Sequence, residues 1–353
     1  MGVPTIESEN VEAAKPSLTK VAPVRKGRIG VLLTNLGTPD ATDYRSVRRY
    51  LAEFLSDARV IEIPKWKWYP ILYGIVLNTR PQKTGANYDT IWNREKNESP
   101  LRTITRNQVE KLAAAFADEP DVVVDYAMRY GNPSLATGVD RLIEQGCDRI
   151  LNVPLYPQYS ATTTGTANDQ FYRALMELRN MPSVRTLPPY YAEPGFIEAL
   201  AQSIETHLAT LDFEPEVVLA SYHGIPISYS EKGDPYYHHC VETTRLLNER
   251  LGWREGRLRT TFQSLFGKEE WIKPYTDATV EGLAKEGVKS IAIVNPGFSA
   301  DCIETLEEID GEVREIFMHA GGTNFAHIPC LNESDVGMAM IESLVRRELG
   351  GWL

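Results

Sequence analysis

Ser290–Asp310 reads SIAIVNPGFSADCIETLEEID, and the fold turns on how that stretch divides. Ile291-Ala292-Ile293-Val294 is an apolar run with polar neighbours, short enough for a strand buried on both faces of a parallel sheet. Asn295-Pro296-Gly297 breaks the run, and Ser299 or Asp301 can cap a helix beyond it. On that helix Asp301, Glu304, Glu308 and Glu312 recur at spacings of three or four, which aligns their carboxylates in one ridge. Stacked like charges repel, so the ridge adds little to helix stability. Two readings of it stay open: a solvated acidic face favoured by the helix dipole, or a path for a hard cation or a proton beside a buried strand.

The same alternation recurs outward from this stretch. Arg28–Asn35 (RIGVLLTN), Asp121–Met128 (DVVVDYAM) and Arg149–Leu155 read as buried strands, with a sharp turn expected at Leu36-Gly37-Thr38-Pro39. Glu216–His223 (EVVLASYH) and Arg257–Ser264 repeat the pattern, and a short strand is expected near Phe325–Pro329. Helical segments separate them, such as Tyr44–Leu55 and one opened by Ser99-Pro100. The pattern restarts across the proline-rich stretch 181–195. The expectation is an α/β protein of two similar Rossmann-like domains, each a mostly parallel sheet flanked by helices. Residues 1–26 read as a mobile leader, 27–185 as the N-terminal domain and 186–353 as the C-terminal domain. Asn35, Arg129, Tyr159, His223, Gln263 with Ser264, and Glu304 all fall at or just past strand ends, where open α/β sheets bind ligands.

A net charge of −11 and the lack of a basic stripe argue against a nucleic-acid partner. No apolar run approaches the roughly 18–20 residues that span a bilayer. The N-terminus has no apolar core of a signal peptide, and Cys147, Cys240, Cys302 and Cys330 lack CxxC spacing. Reduced thiols in a cytoplasmic protein are expected. Pro64–Leu77, PKWKWYPILYGIVL, reads either as buried core or as an exposed apolar lip for a membrane surface or a flat ligand. His223, ending a strand in SYHGIP, reads either as a satisfied core histidine or as a base or metal ligand at a strand tip. His238-His239-Cys240 are consecutive on a helix, cannot grip one ion together and are expected at the surface. His319 and His327 are expected to be structural. No P-loop ending, GxGxxG or GxSxG supports a nucleotide or serine-hydrolase site. The residues point to metal-assisted or proton-transfer chemistry on a large, flat, partly apolar molecule.

Several segments, in order, carry a family resemblance: LLTNLGTP, the aromatic lip through Arg80-Pro81, SPL at 99–101, RYGNP, YPQYSATTTG, SYHGIP with KGDPY, TFQSLFG with Trp271, and GFSADCIETLEEID. Over residues 28–348 the chain resembles ferrochelatase, the protohaem ferro-lyase of haem biosynthesis. The resemblance implies the chelatase fold and insertion of ferrous iron into protoporphyrin IX, with release of two protons and no tightly bound cofactor. It implies catalytic roles for His223 and Glu304, and a metal path through His223, Glu304 and Glu308. Leu36, Arg80, Ser99, Arg129, Tyr159 and Trp271 match porphyrin-pocket positions, and 64–77 matches a lip that can rest on the inner membrane. Cys302 stands where many relatives have histidine, which bears on metal preference. Ala161 stands where some relatives have a cluster cysteine, so no iron–sulfur cluster is expected. A coproporphyrin or cobalt chelatase, and a carrier of porphyrin or metal without turnover, are the alternatives.

Overall fold

Each apolar run pairs with its neighbours in parallel, which forces helical crossovers between consecutive strands. β1 (Arg28–Thr38), β2 (Val122–Gly131), β3 (Cys147–Pro154) and β4 (Ser183–Thr186) form one sheet in the order β2-β1-β3-β4. β5 (Val217–His223), β6 (Leu258–Gln263), β7 (Ser290–Val294) and β8 (Asn324–Ile328) form a second, in the equivalent order β6-β5-β7-β8. All pairings are parallel. The structure is a computed structural model and describes residues 27–265, 267 and 269–353; the expected leader, 1–26, lies outside the described residues.

Alternation along the strands divides the core between the faces of each sheet. Val31 and Leu33 of β1 and Val218 and Ala220 of β5 share one large apolar cluster. Leu32 turns to the other face of the first sheet, and Val217 and Leu219 to the other face of the second. The shared cluster also takes Phe196, Leu200 and Ile204 from the helix Pro194–Leu208, and Met338, Ile341 and Val345 from the helix Asp335–Glu348. One continuous core therefore locks the two sheets together.

The differences from expectation have local causes. β1 runs on to Thr38 instead of turning at Leu36, because Gly37 takes a φ of 105° where a Cβ would lie 1.8 Å from the Tyr130 carbonyl oxygen. β4 was hidden by its four-residue length and its proline-rich surroundings. The polar ATTTG tract forms a π-helical segment, Ala161–Gly165, leading into the helix Thr166–Met176, which buries Ala167, Phe171 and Leu175. The 64–77 segment is helical throughout, with Pro70 inside the helix Lys65–Ile71. One face of it is buried and the other exposed. Trp68 is 7% exposed and donates its indole N–H to the Leu55 carbonyl at 2.6 Å, while Trp66 is 74% exposed beside Ile71, Tyr73 and Ile75.

Two further expectations fail. The acidic stretch is a π-helix, Glu304–Val313, and Asp301 lies outside it. Asp301 is buried and accepts from Thr305, Asn332 and the Cys330 amide, so it ties two loops and does not extend the ridge. The His-His-Cys triplet is not a surface motif: His238 is exposed, but His239 is half-buried and Cys240 fully buried. A helix face toward the core, set by Tyr236, Cys240 and Leu247, decides this. No helix among the described residues is long and apolar enough to cross a membrane.

Candidate active site

The carboxyl ends of the strands open on one cleft of about 480 Å³. Its walls are mainly apolar and aromatic, with Leu36, Phe54, Ile61, Tyr156, Tyr229 and Phe298 among them. Arg80 and Lys232 bring positive charge, and Glu62, Glu269 and Glu304 negative charge. An ion pair between Lys232 and Glu62, and a 2.9 Å bond from the Tyr229 hydroxyl to the Val60 carbonyl, bridge the two halves at this cleft.

His223 closes β5 and lines the cleft. Its Nδ1 lies 2.7 Å from the Gly224 carbonyl oxygen, which can only accept, so Nδ1 donates this bond and, in the neutral ring, the lone pair is on Nε2. The Gly224 amide is bonded to the Gln263 carbonyl at 2.8 Å. A Cβ there would lie 3.0 Å from the Trp271 ring, so a larger residue would crowd the indole beside His223. The His223 and Trp271 ring centroids are 6.3 Å apart.

Glu304 opens the π-helix and lines the same cleft. Gln263, at the end of β6, anchors that helix: its Nε2 donates to the Glu304 carbonyl at 2.7 Å and to Glu308 at 3.2 Å. Its Oε1 accepts from Ser221 at 2.8 Å and from Asn295 at 2.9 Å. One buried amide thus joins the tips of β5, β6 and β7 to the acidic helix. Ser264, in the left-handed region at φ 66°, donates to Glu308 at 2.5 Å. Strain at a non-glycine residue is retained where surrounding contacts impose it. Burial pushes the Glu308 carboxyl above the ordinary range, against the opposing influence of Ser264 and His223.

The six substrate-binding positions separate. Leu36, Arg80 and Trp271 lie in the cleft wall, and burial lowers the pKa of Arg80. Ser99 instead caps the helix Pro100–Ala115, accepting from the Arg102 amide at 3.3 Å, in a small chamber behind Glu304 that Thr38, Tyr88 and Cys302 also line. Arg129 is buried away from the wall; its guanidinium pairs with Asp57 and donates to Thr166 at 2.7 Å. Tyr159 is also outside the wall, its amide donating to His239 Nδ1 at 3.2 Å. Its neighbours Tyr156 and Gln158 line the cleft in its place. They could have been found in the YPQYS segment, which runs on from β3; nothing in one sequence marks Phe54 or Phe298. Among the described residues no group of three or more His, Cys, Asp or Glu side chains is placed to hold a metal ion.

Two parallel sheets of like order meeting at such a cleft define the chelatase fold. SirB from Bacillus subtilis, solved with Fe3+, superposes with a TM-score of 0.53 at 13% identity, covering 91% of this chain and 95% of SirB. The sirohydrochlorin chelatase SirB from Bacillus subtilis subspecies spizizenii, in complex with cobalt, gives 0.53 at 11% identity over 91% and 94%. Sequence carries the comparison further. The ferrochelatase family model matches residues 28–349, and the ferrochelatase of Mesorhizobium japonicum is 69% identical over 97% of this chain and 98% of its own. The ferrochelatase of Chelativorans sp. is 66% identical over 93% of each chain. The chain belongs to the ferrochelatase family, lyases of haem biosynthesis whose substrates are a porphyrin and a metal ion.

Proposed function

We propose that the porphyrin is protoporphyrin IX, that the metal is ferrous iron, and that His223 and Glu304 carry the reaction between them. The observation that carries this reading is geometric: His223, whose Nδ1 donates to the Gly224 carbonyl and whose neutral ring would present the Nε2 lone pair, shares an apolar-walled cleft with the Glu304 carboxyl group. A free-base porphyrin holds two N–H protons in its plane. Bending the ring exposes a nitrogen lone pair and an N–H, and binding energy from the apolar walls supplies that distortion. His223 accepts a pyrrole proton at Nε2 and the second passes to solvent as iron takes all four nitrogens, so two protons are released per ferrous ion and no electron is transferred. Glu304 and Glu308 offer oxygen ligands to a labile hard cation, which suits passing it on more than locking it in place. Leu36, Arg80 and Trp271 contact the macrocycle. Ser99, Arg129 and Tyr159 act behind the wall.

No tightly bound cofactor or iron–sulfur cluster is proposed; Ala161 opens a π-helical segment and offers no ligand. The exposed face of 64–77 is proposed as a peripheral contact with the inner membrane from the cytoplasm. Trp66 stands between Lys65 and Lys67, a pairing suited to an anionic bilayer interface. Anaerobic assays with ferrous iron and either protoporphyrin IX or coproporphyrin III test the substrate. A higher kcat/KM for protoporphyrin is expected. Preference for coproporphyrin would overturn that assignment, and cobalt insertion outpacing iron would overturn the metal.

A further inference from the structure

The His-His-Cys triplet has no part in the chemistry above, yet its middle residue reaches the cleft wall through one bond. His239 lies in the first turn of the helix Tyr236–Leu251, and its ring stacks on Tyr191 with centroids 3.8 Å apart and planes 10° apart. Its Nδ1 accepts the Tyr159 amide at 3.2 Å. One turn on, Thr243 accepts from Gln158 Nε2 at 3.0 Å. Asp234, just before the helix, accepts from the Ser160 hydroxyl at 2.9 Å and the Ala161 amide at 2.7 Å. The residues Gln158, Tyr159, Ser160 and Ala161 follow β3, so a segment of the first half hangs from three side chains of the second. Tyr156, Gln158, Thr162 and Thr163, within and around that segment, are cleft wall.

We propose that His239 is a positioning residue for the porphyrin: by accepting the Tyr159 amide it fixes the wall segment 156–163 to the second half, and it does so only while its ring is neutral. The proposal rests on the porphyrin assigned to the cleft above. A neutral imidazole with its proton on Nε2 offers Nδ1 as an acceptor; the imidazolium turns an N–H toward the Tyr159 N–H and the bond is lost. Burial holds the His239 pKa below the ordinary histidine range. Asp234 from the preceding loop opposes that, and His238 on the same helix adds to it. The other groups against the ring are the Tyr191 side chain, stacked on it, and the Tyr159 amide. The bond is therefore intact at pH 7 and lost on acidification through and below the ordinary histidine range.

His239→Phe keeps a ring on Tyr191 and removes the acceptor; His239→Asn removes the ring and keeps an amide oxygen. Porphyrin affinity is read by absorbance titration, and turnover by anaerobic metallation. His239→Phe is expected to weaken porphyrin binding about tenfold, the scale for a buried donor losing its partner, with kcat changed less than about twofold. His239→Asn should recover most of that affinity. Wild-type affinity should hold near neutrality and fall as the pH drops below about 6.5, while that of His239→Asn stays level. Hydrogen exchange at the Tyr159 amide reads the contact without substrate: protected in the wild type and His239→Asn, and fast in His239→Phe. Wild-type affinity in His239→Phe, equal impairment in both variants, or an unchanged Tyr159 exchange rate would each overturn the proposal. If the wild type binds no porphyrin, the cleft assignment fails, and the exchange experiment still decides whether His239 holds the wall.

Discussion

Gln263→Leu is the sharpest test of how the site is held together. The change keeps the approximate size of a buried side chain and removes its bonds to Ser221, Asn295, Glu308 and the Glu304 carbonyl. Some partners survive: Ser221 keeps Thr276 at 2.8 Å, and Glu308 keeps Ser264 at 2.5 Å. The Asn295 amide retains only the Ser221 carbonyl, at 3.1 Å. Leaving one of its hydrogens unpaired costs about 1–3 kcal/mol, and the lost bond to a charged carboxylate adds about 1.5–3 kcal/mol. A destabilisation of about 2.5–6 kcal/mol follows, which at roughly 1.3 °C per kcal/mol for a chain of 353 residues lowers the thermal midpoint by about 3–8 °C. Circular dichroism melts measure it, alongside metallation at a temperature where the variant is folded. Activity should fall as well, because the Glu304 turn and the Glu308 carboxylate lose a common anchor. A variant melting within about 1 °C of the wild type would show that Gln263 does not join the strand tips to the acidic helix.

Asp57→Asn leaves the buried Arg129 with Glu53, at 3.8 Å, as its remaining carboxylate beside the Thr166 hydroxyl, and a loss of about 3 kcal/mol is expected, measured by denaturant titration. Burial raises the Asp57 pKa, but donation by Thr166, the Arg59 amide and Tyr130, together with the Arg129 charge, outweighs it and holds the carboxyl below the usual range. Its contribution is thus present above about pH 4 and lost as pH falls through the lowered value, so the gap between wild type and variant should close on acidification. Trp66→Ser, on the exposed face of the lip, should leave the melting midpoint within about 1 °C and weaken sedimentation with anionic vesicles several-fold. Unchanged vesicle binding would remove the membrane contact proposed for 64–77.

The strands were legible because parallel strands buried on both faces are continuous apolar runs, as β5 and β7 show. The ligand end was legible because His223 and Gln263 end their strands and Glu304 follows β7 through a loop. Position at a strand end does not say which way a side chain points. Arg129 meets the same criterion and turns into the protein toward Asp57, while Tyr159 lies outside the cleft wall and is tied to the other half through its backbone amide, which donates to His239. The π-helix was hidden because the Asp301–Glu312 spacing also fits an α-helix, and no side-chain pattern reports an i→i+5 bond. Trp66 and Trp68 lie two residues apart and share Lys67 as a neighbour, and packing against Leu55 separates the buried one from the exposed one.

In the mechanism proposed above, His223 takes the pyrrole proton while the cleft holds the porphyrin. Anaerobic metallation of protoporphyrin IX by ferrous iron, followed in the visible spectrum for the wild type and His223→Ala, tests it directly. Turnover by the wild type, lost in His223→Ala with porphyrin still bound, is the predicted result. Turnover surviving in His223→Ala would contradict it, and binding without metallation in the wild type would leave a carrier in place of an enzyme.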